Sequence, residues 1–385
     1  MKYKLLCLFL FLVIIARPML FVYKNGEKFF SPWFPKQASS FEEAYYHSQY
    51  VKKENPGFIP DETLTVFMGD MFLKGINPIM LVHDHPPLGR YIVSLSIYFF
   101  HNPDTIIIPL TLLSVLGMFF IARLILPNAL FSLIPIAIFV NEPLFLGKLI
   151  YPPVLESIQL PFIIFALYFF IRGISGKKYI LWFVFTSIML GFVIATRFFI
   201  LGAVELFGMV LYFVFTKPID RKRIFTFFLT LPLSLIVLML SYLKTLQAGY
   251  SVLQIFGIQK YIFFYQQSKF INLFSFWDLL MFNRWHTWWA DQRIISDDNW
   301  IIVWPLSVVV STATYVLVAI KKKLHLSKPE KVVLLWIFVY SLLLSFGNTT
   351  TRYYLPLVPF IYILATAGIL KCINLYYFKG KSRKK

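Results

Sequence analysis

The sequence predicts an all-α fold, a polytopic bundle of ten or eleven transmembrane helices forming a single membrane domain over residues 1–385. Three observations predict it. Of the 385 residues 58% are hydrophobic and 14% charged, more Leu, Ile and Phe than a soluble domain of this length buries. The apolar residues come in long runs, such as 5–15, 106–121, 158–171 and 231–240. With their flanks these runs repeatedly reach the roughly 20 residues that a bilayer crossing needs. Basic residues, finally, cluster between the runs, as they do in cytoplasmic loops.

The first run follows Met1-Lys2-Tyr3-Lys4 and has no small-residue cleavage site, so it reads as an uncleaved first helix. Basic clusters at Lys2/Lys4, Arg172 to Lys178, Lys217 to Arg223, Lys321 to Lys331 and Lys371 to Lys385 mark the inside. From Arg172 onward, successive clusters are two apolar runs apart, which places spans near 153–172, 178–196, 199–216, 223–243, 300–320, 331–347 and 353–371. The segment 244–299 is then a large outer loop. Residues 24–104 form the first outer loop with its juxtamembrane or re-entrant helices. Of the three runs between 88 and 146, the first, 88–100, is about 13 residues, short for a crossing. Read as juxtamembrane, it leaves 105–122 and 128–146 as spans and gives ten in all, with both termini inside. Read as a crossing, it gives eleven.

Charge favours ten. Inside lie 21 of the 37 basic residues and two of the 18 acids, which leaves 16 of each elsewhere. The whole net charge of +19 thus sits at the face where anionic membrane lipids attract it, and no nucleic acid is called for. Cys7 and Cys372 have no CxxC neighbour, so neither a disulfide framework nor a zinc motif is implied. Gly380-Lys381-Ser382 lacks the earlier glycine of a Walker A loop, and no dinucleotide-binding fingerprint is present.

The polar residues left outside fall into a few short segments. They are Glu42-Glu43, Asp61-Glu62, His83-Asp84-His85-Pro86-Pro87 running into Arg90, then Glu142, Lys148, Tyr151 and Glu156, then Arg197. The 244–299 loop adds Asn283 to Trp289 and Asp297-Asp298, and the last outer turn adds Asn348 to Tyr354. A carboxylate at the interface can take a proton from an acceptor hydroxyl. Arg and Tyr beside it can hold a phosphate leaving group. The constellation suits transfer of a sugar from a polyprenyl-phosphate donor anchored in the bilayer. A lipid, a glycan or a protein is the acceptor in this reading.

Asp61-Glu62, followed by His85-Pro86-Pro87-Leu88-Gly89-Arg90, resembles the first outer loop of the protein O-mannosyltransferases. It is similar more broadly to GT-C membrane glycosyltransferases, the lipid A aminoarabinose transferases among them. Leu155-Glu156-Ser157, Gly191 to Arg197 and Arg352-Tyr353-Tyr354-Leu355-Pro356 resemble further family segments, so the likeness runs from 61 to 356. It implies a GT-C fold, Asp61 as catalytic base with Glu62 beside it, and His85, Arg90, Tyr151, Glu156, Arg197, Arg352 and Tyr353 as substrate-binding residues. It also implies inversion at the anomeric carbon and a plasma-membrane enzyme with its site facing outside. The sequence departs from the pattern where Tyr151 replaces an Arg, Glu156 an Asp, and Arg90 and Arg197 lysines. The resemblance does not extend to the large soluble domain of the eukaryotic enzymes, so protein is the less expected acceptor.

Simpler roles stand beside these. Asp61-Glu62 after Pro60 has the form of a helix start. Arg197, Arg352 and Arg17 at span ends have the form of interface snorkellers. Trp285, Trp288 and Trp289 suit an aromatic belt as well as a sugar platform. Glu42-Glu43 is a rival acidic motif. Glu205 lies inside its span with no partner in sight. No metal site is inferred: the His83/His85 spacing is unconvincing for ligands, and a divalent ion at the phosphate stays open alongside Arg. A transporter or flippase of lipid-linked sugars is the alternative function, and a non-catalytic scaffold a third. Transporters place charges at mid-membrane and carry internal repeats, whereas the acids here sit at outer ends.

Overall fold

Apolar helix formers dominate the chain, and helices dominate the structure. The computed structural model describes residues 2–82, 84–150, 153–216, 220–267, 272–287, 293–320 and 325–382. The first long helix, α1 (Lys2–Lys24), leads into α2 (Gly26–Phe30) and α3 (Phe34–Tyr46). Next come α4 (Asp61–Leu73) and α5 (Leu88–Phe100), which lie against each other. Leu64 to Met68, Met71 and Phe72 of α4 are buried, and the Ser94 hydroxyl of α5 donates to the Gly69 carbonyl at 2.6 Å. With 13 residues α5 is about 20 Å long, short of a hydrocarbon core of about 30 Å.

α6 (Ile107–Ile125) is a full-length apolar helix. The continuous span expected over 128–146 is instead a broken one, α7 (Ala129–Val140) and α8 (Pro143–Ile150), bent by 63°. The cause is local. Pro143 removes a backbone donor, and the buried Glu142 turns inward to accept bonds from Trp304 Nε1 and the Tyr362 hydroxyl, both at 2.8 Å. Arg17 is more than a snorkeller, because its guanidinium donates to the Asn141 carbonyl at 3.1 Å and braces the break.

The central hairpin is α9 (Leu155–Ser175) with α10 (Tyr179–Thr196), followed by α11 (Ile200–Phe215). α12 (Arg221–Thr230) starts on Asp220, which accepts from the Lys222 amide, and continues after a break at Leu231 as α13 (Pro232–Ser241). Gly191 explains how closely α10 and α13 approach. A Cβ there would stand 2.6 Å from Val237 Cβ and 3.0 Å from Ser234 Cα. The stretch expected as a large loop holds α14 (Leu243–Gln247), α15 (Val252–Gln267) and α16 (Ser275–Phe282). It also holds a two-residue hairpin, β1 (Trp285–His286) on β2 (Ile294–Ile295), with Trp285 opposite Ile295. α15 forms because it has apolar residues to bury, with Ile255 and Ile262 fully covered.

The last three helices are α17 (Val303–Ile320), α18 (Lys328–Ser345) and α19 (Val358–Ser382). α18 opens on a capping box between Ser327 and Glu330. A 3-10 turn at Thr351–Tyr354 separates α18 from α19, so the last span starts later than expected. By length and apolarity six helices among the described residues are fit to cross a membrane: α1, α6, α9, α10, the α12–α13 pair and α17. The bent pair α7–α8 makes a seventh. The chain is a multi-pass integral membrane protein. α11 and the apolar part of α19 are shorter than this measure, and α18 begins on three charged residues, so the ten-span count stays an expectation.

Candidate active site

Helix ends bring the polar segments together. Pro60 is extended and starts α4, which sets Asp61 and Glu62 in its first turn. Asp84 and His85 precede α5, and Arg90 lies in its first turn. Glu156 is in the first turn of α9, Arg197 follows the last residue of α10, and Arg352 and Tyr353 lie in the 3-10 turn. Gly89 lets three of these ends meet. A Cβ there would come 2.6 Å from Leu155 Cδ2 and 3.0 Å from the Thr196 carbonyl oxygen, the residues just before Glu156 and Arg197. The glycine of the Pro-Pro-Leu-Gly segment is thus a packing requirement of the α5–α9–α10 junction.

The charges form one network. Glu156 Oε1 stands 3.0 Å from Arg197 Nη2 and 3.0 Å from Arg352 Nε. Arg352 Nη2 donates to Asp61 Oδ2 at 2.6 Å. The Tyr353 ring lies under both guanidinium groups, 4.7 Å from Arg197 Cζ and 5.5 Å from Arg352 Cζ. Deeper, Arg90 is fully buried and donates to Asp84 Oδ1 at 2.7 Å, and His85 Nε2 is 4.0 Å from Asp84 Oδ2.

Burial sets the ionisation here as much as charge does. Burial pushes the His85 imidazole down to about 4, against the pull of Asp84 and with the push of Arg197 and Arg90, so His85 is neutral near pH 7. Burial works to raise Asp84, yet Arg90 and His85 hold its carboxyl below the usual range. Burial also works to discharge Arg197 and Arg352. Glu156 leads the groups that hold both above their ordinary values. Three buried nitrogens, His85 Nδ1, Arg90 Nε and Arg352 Nε, have no hydrogen-bond partner among the described residues. Arg352 Nε is near Glu156 but is not aimed at it.

These groups line a cavity of about 710 Å³. Asp61, Glu62, His85, Arg90, Glu156, Arg197, Arg352 and Tyr353 all face it. Tyr151 lies outside the described residues, as do His83, Trp288 and Trp289. A second cavity of about 480 Å³ adjoins it, sharing His85, Arg197, Gln266 and Tyr353 and otherwise lined mostly by apolar residues such as Phe198, Leu201 and Leu344, with Tyr340 and Asn348. A third, of about 650 Å³ and almost wholly apolar, shares Ile200 and Phe263 with the second and runs between α10, α11, α13 and α15.

This arrangement of helices has known counterparts. Residues 84–243 match the model of the dolichyl-phosphate-mannose-protein mannosyltransferase family. ArnT from Cupriavidus metallidurans in the apo state superposes with a TM-score of 0.59 at 13% identity, over 92% of this chain and 59% of that one. ArnT bound to undecaprenyl phosphate gives 0.57 at 14%, over 88% and 59%. The archaeal oligosaccharyltransferase AglB from Archaeoglobus fulgidus, in complex with an inhibitory peptide and a dolichol-phosphate, gives 0.54 at 11%, over 92% and 52%. The chain has the GT-C fold. It spans little more than half the length of these solved chains, and at such identities the likeness is one of fold. No curated protein sequence matches the chain.

Within this GT-C fold, Asp84, Lys148 and Asp297, which the sequence placed among the outer polar segments without a role, join the site, and Tyr50 and Tyr265 are additions the sequence did not single out. Asp84 organises Arg90 and His85, while Lys148, Tyr50, Tyr265 and Asp297 also line the charged cavity. Asp297 Oδ2 accepts from the Thr351 hydroxyl at 2.8 Å and so ties the segment before α17 to the turn that carries Arg352. Tyr50 is hydrogen-bonded to Tyr265, distant in sequence, and such pairings leave no local signal. The rival pair Glu42-Glu43 is on α3 and does not line the cavity, and Glu42 sits 3.9 Å from Lys74. Glu205 is completely buried in α11 with both carboxyl oxygens unpartnered among the described residues. Among the described residues, no three His, Cys, Asp or Glu side chains converge as metal ligands would.

Proposed function

We propose that the protein is a membrane glycosyltransferase that moves a sugar from a polyprenyl-phosphate-linked donor to an acceptor hydroxyl at the non-cytoplasmic face of the plasma membrane. One observation supports this reading above others: the charged cavity adjoins a largely apolar one, with His85, Arg197, Gln266 and Tyr353 lining both, and that one in turn shares Ile200 and Phe263 with the third, apolar cavity.

A prenyl chain in the apolar cavities sets its phosphate against Arg197, Arg352 and His85. The last two carry buried nitrogens in need of a hydrogen-bond partner. In the unliganded geometry Arg352 is shared between Asp61 and Glu156. A phosphate competes for that guanidinium and releases Asp61, half exposed at the cavity mouth, to act as general base. The acceptor oxygen then bonds to the anomeric carbon from the Asp61 side while the bond from that carbon to phosphate breaks. The electron pair leaves on a phosphate oxygen, the hydroxyl proton goes to Asp61, and the configuration inverts. Glu156 holds the two arginines at fixed spacing. Where a divalent ion takes part, the phosphate is its natural partner.

The test is transfer of radiolabelled sugar from synthetic polyprenyl-phosphate donors by the purified protein. Asp61→Asn is expected to lower the rate by about 100-fold or more, the usual scale of a general base. Undiminished transfer in that variant overturns the role of Asp61. Absence of transfer with every donor, joined to vesicle-to-vesicle movement of the lipid, favours the transporter.

A further inference from the structure

We propose that the mouth of the charged cavity is a subsite for an uncharged glycan acceptor, with the Phe58 ring as its stacking surface. This rests on the transferase reading above and narrows its acceptor class.

Phe58 is 84% exposed, yet the loop that carries it is pinned. The Gln49 amide donates to the Gly57 carbonyl at 3.0 Å, and the Gly57 amide to the His47 carbonyl at 2.7 Å. The Ile59 amide donates to Gln49 Oε1 at 3.1 Å. A large ring is therefore held out at the rim of the cavity, three residues from Asp61. The C–H face of a sugar ring packs on such a surface while its hydroxyls stay free for polar partners. Neutral partners stand close by, since Gln49, Tyr50, Tyr265 and Asn299 line the same cavity.

The buried charges of the cavity are already paired, whereas Asp61 reaches out to its mouth. Arg90 (2% exposed) lies beside Asp84 (8%), and Arg197 and Arg352 (16% and 18%) beside Glu156 (5%), while Asp61 is 54% exposed. The lining holds five carboxylates (Asp61, Glu62, Asp84, Glu156 and Asp297) against four cations (Arg90, Lys148, Arg197 and Arg352), with His85 neutral. A donor phosphate in the depth makes the balance more negative. A second phosphate at the mouth would face Asp61 and Glu62 with no cation left over, so an uncharged acceptor fits and a phosphorylated one is repelled.

The experiment uses the full chain in nanodiscs, a polyprenyl-phosphate sugar, and uncharged hexose oligosaccharides beside their 6-phosphates. The uncharged forms are expected to be used with kcat/KM about tenfold or more above the phosphates. Phe58→Leu is expected to raise the acceptor KM about tenfold with the donor KM little moved, while Phe58→Trp stays within about twofold. Wild-type behaviour of Phe58→Leu overturns the stacking role and marks Phe58 as a membrane anchor. Equal use of the phosphates, or transfer only to peptides, overturns the glycan class and leaves the transferase reading intact. Should no donor be cleaved with any acceptor, the transferase reading falls. Equilibrium binding of the same oligosaccharides to wild type and Phe58→Leu then decides the subsite alone.

Discussion

Glu156→Gln is the sharpest perturbation of the charge network. Glu156 Oε1 lies 3.0 Å from a nitrogen of each of two arginines, and the Glu156 side chain is 5% exposed. At an effective dielectric near 20, each contact is worth about 5 kcal/mol of Coulomb attraction, most of it offset by desolvation. The substitution removes the attraction and leaves two guanidinium groups facing each other, with the desolvation cost still in place. Breaking a buried pair in this way costs about 3–5 kcal/mol. Arg197 and Arg352 keep some access to solvent, which places the expected loss at the lower end, about 3 kcal/mol. Transfer is expected to fall about 100-fold, since Arg352 loses the group that fixes its position. Unfolding in one detergent at fixed lipid content measures the first, and single-turnover transfer the second. Glu156→Asp, which keeps the charge, is expected to recover part of both. A Gln variant with wild-type stability and rate refutes the network as the organiser of the site.

Two further outcomes follow from the same geometry. Gly89→Ala places a methyl group against Leu155 and the Thr196 carbonyl, and overpacking of this kind costs about 1–3 kcal/mol. Its transfer rate is expected to fall further than that of Ala substitutions elsewhere on α5, because the displaced residues adjoin Glu156 and Arg197; unfolding and transfer assays side by side check this. His85 ionises near 4 in the folded chain against 6.5 when free. Between these values the unfolded chain binds a proton that the folded chain does not. Stability from this group is thus complete above pH 6.5 and is lost as pH falls toward 4, by an amount on the order of 3 kcal/mol. In His85→Gln the slope of stability against pH over that window is expected to flatten, which unfolding curves at stepped pH report.

The bundle and much of the site are legible in the chain because their signals are local. Apolar runs announce helices, and Asp61-Glu62, Pro86-Pro87 and Glu156 sit at helix starts, where their residue types have their own reasons to be. The break between α7 and α8 is hidden, since Glu142 and Pro143 interrupt an apolar run by two residues and their effect depends on Trp304 and Tyr362, far along the chain. The partner of Asp297 is hidden for the same reason: the sequence sets Asp297 in a polar segment, and only the fold brings it to Thr351. The helices within 244–299 escape a reading by charge, which places loops by sidedness and is silent on their internal structure.

The positions of the charges also say which contact of the network has least support from the helices. Asp61, Glu62 and Glu156 stand in first turns, where the helix dipole favours an anion, and Arg197 stands at a C-terminus, where it favours a cation. Each of these is stabilised by its own helix before any pair forms, and Gly89 locks the junction between the ends of α9 and α10. Arg352 differs. It sits on a four-residue 3-10 turn, is held by Glu156 and Asp61 from either side, and gains no such support from a helix end. In the proposed reaction, the contact that an entering phosphate would break at least cost is therefore the one between Arg352 and Asp61. That contact is also the one whose loss exposes the proposed base, so the proposal couples donor binding to acceptor activation through a single guanidinium group.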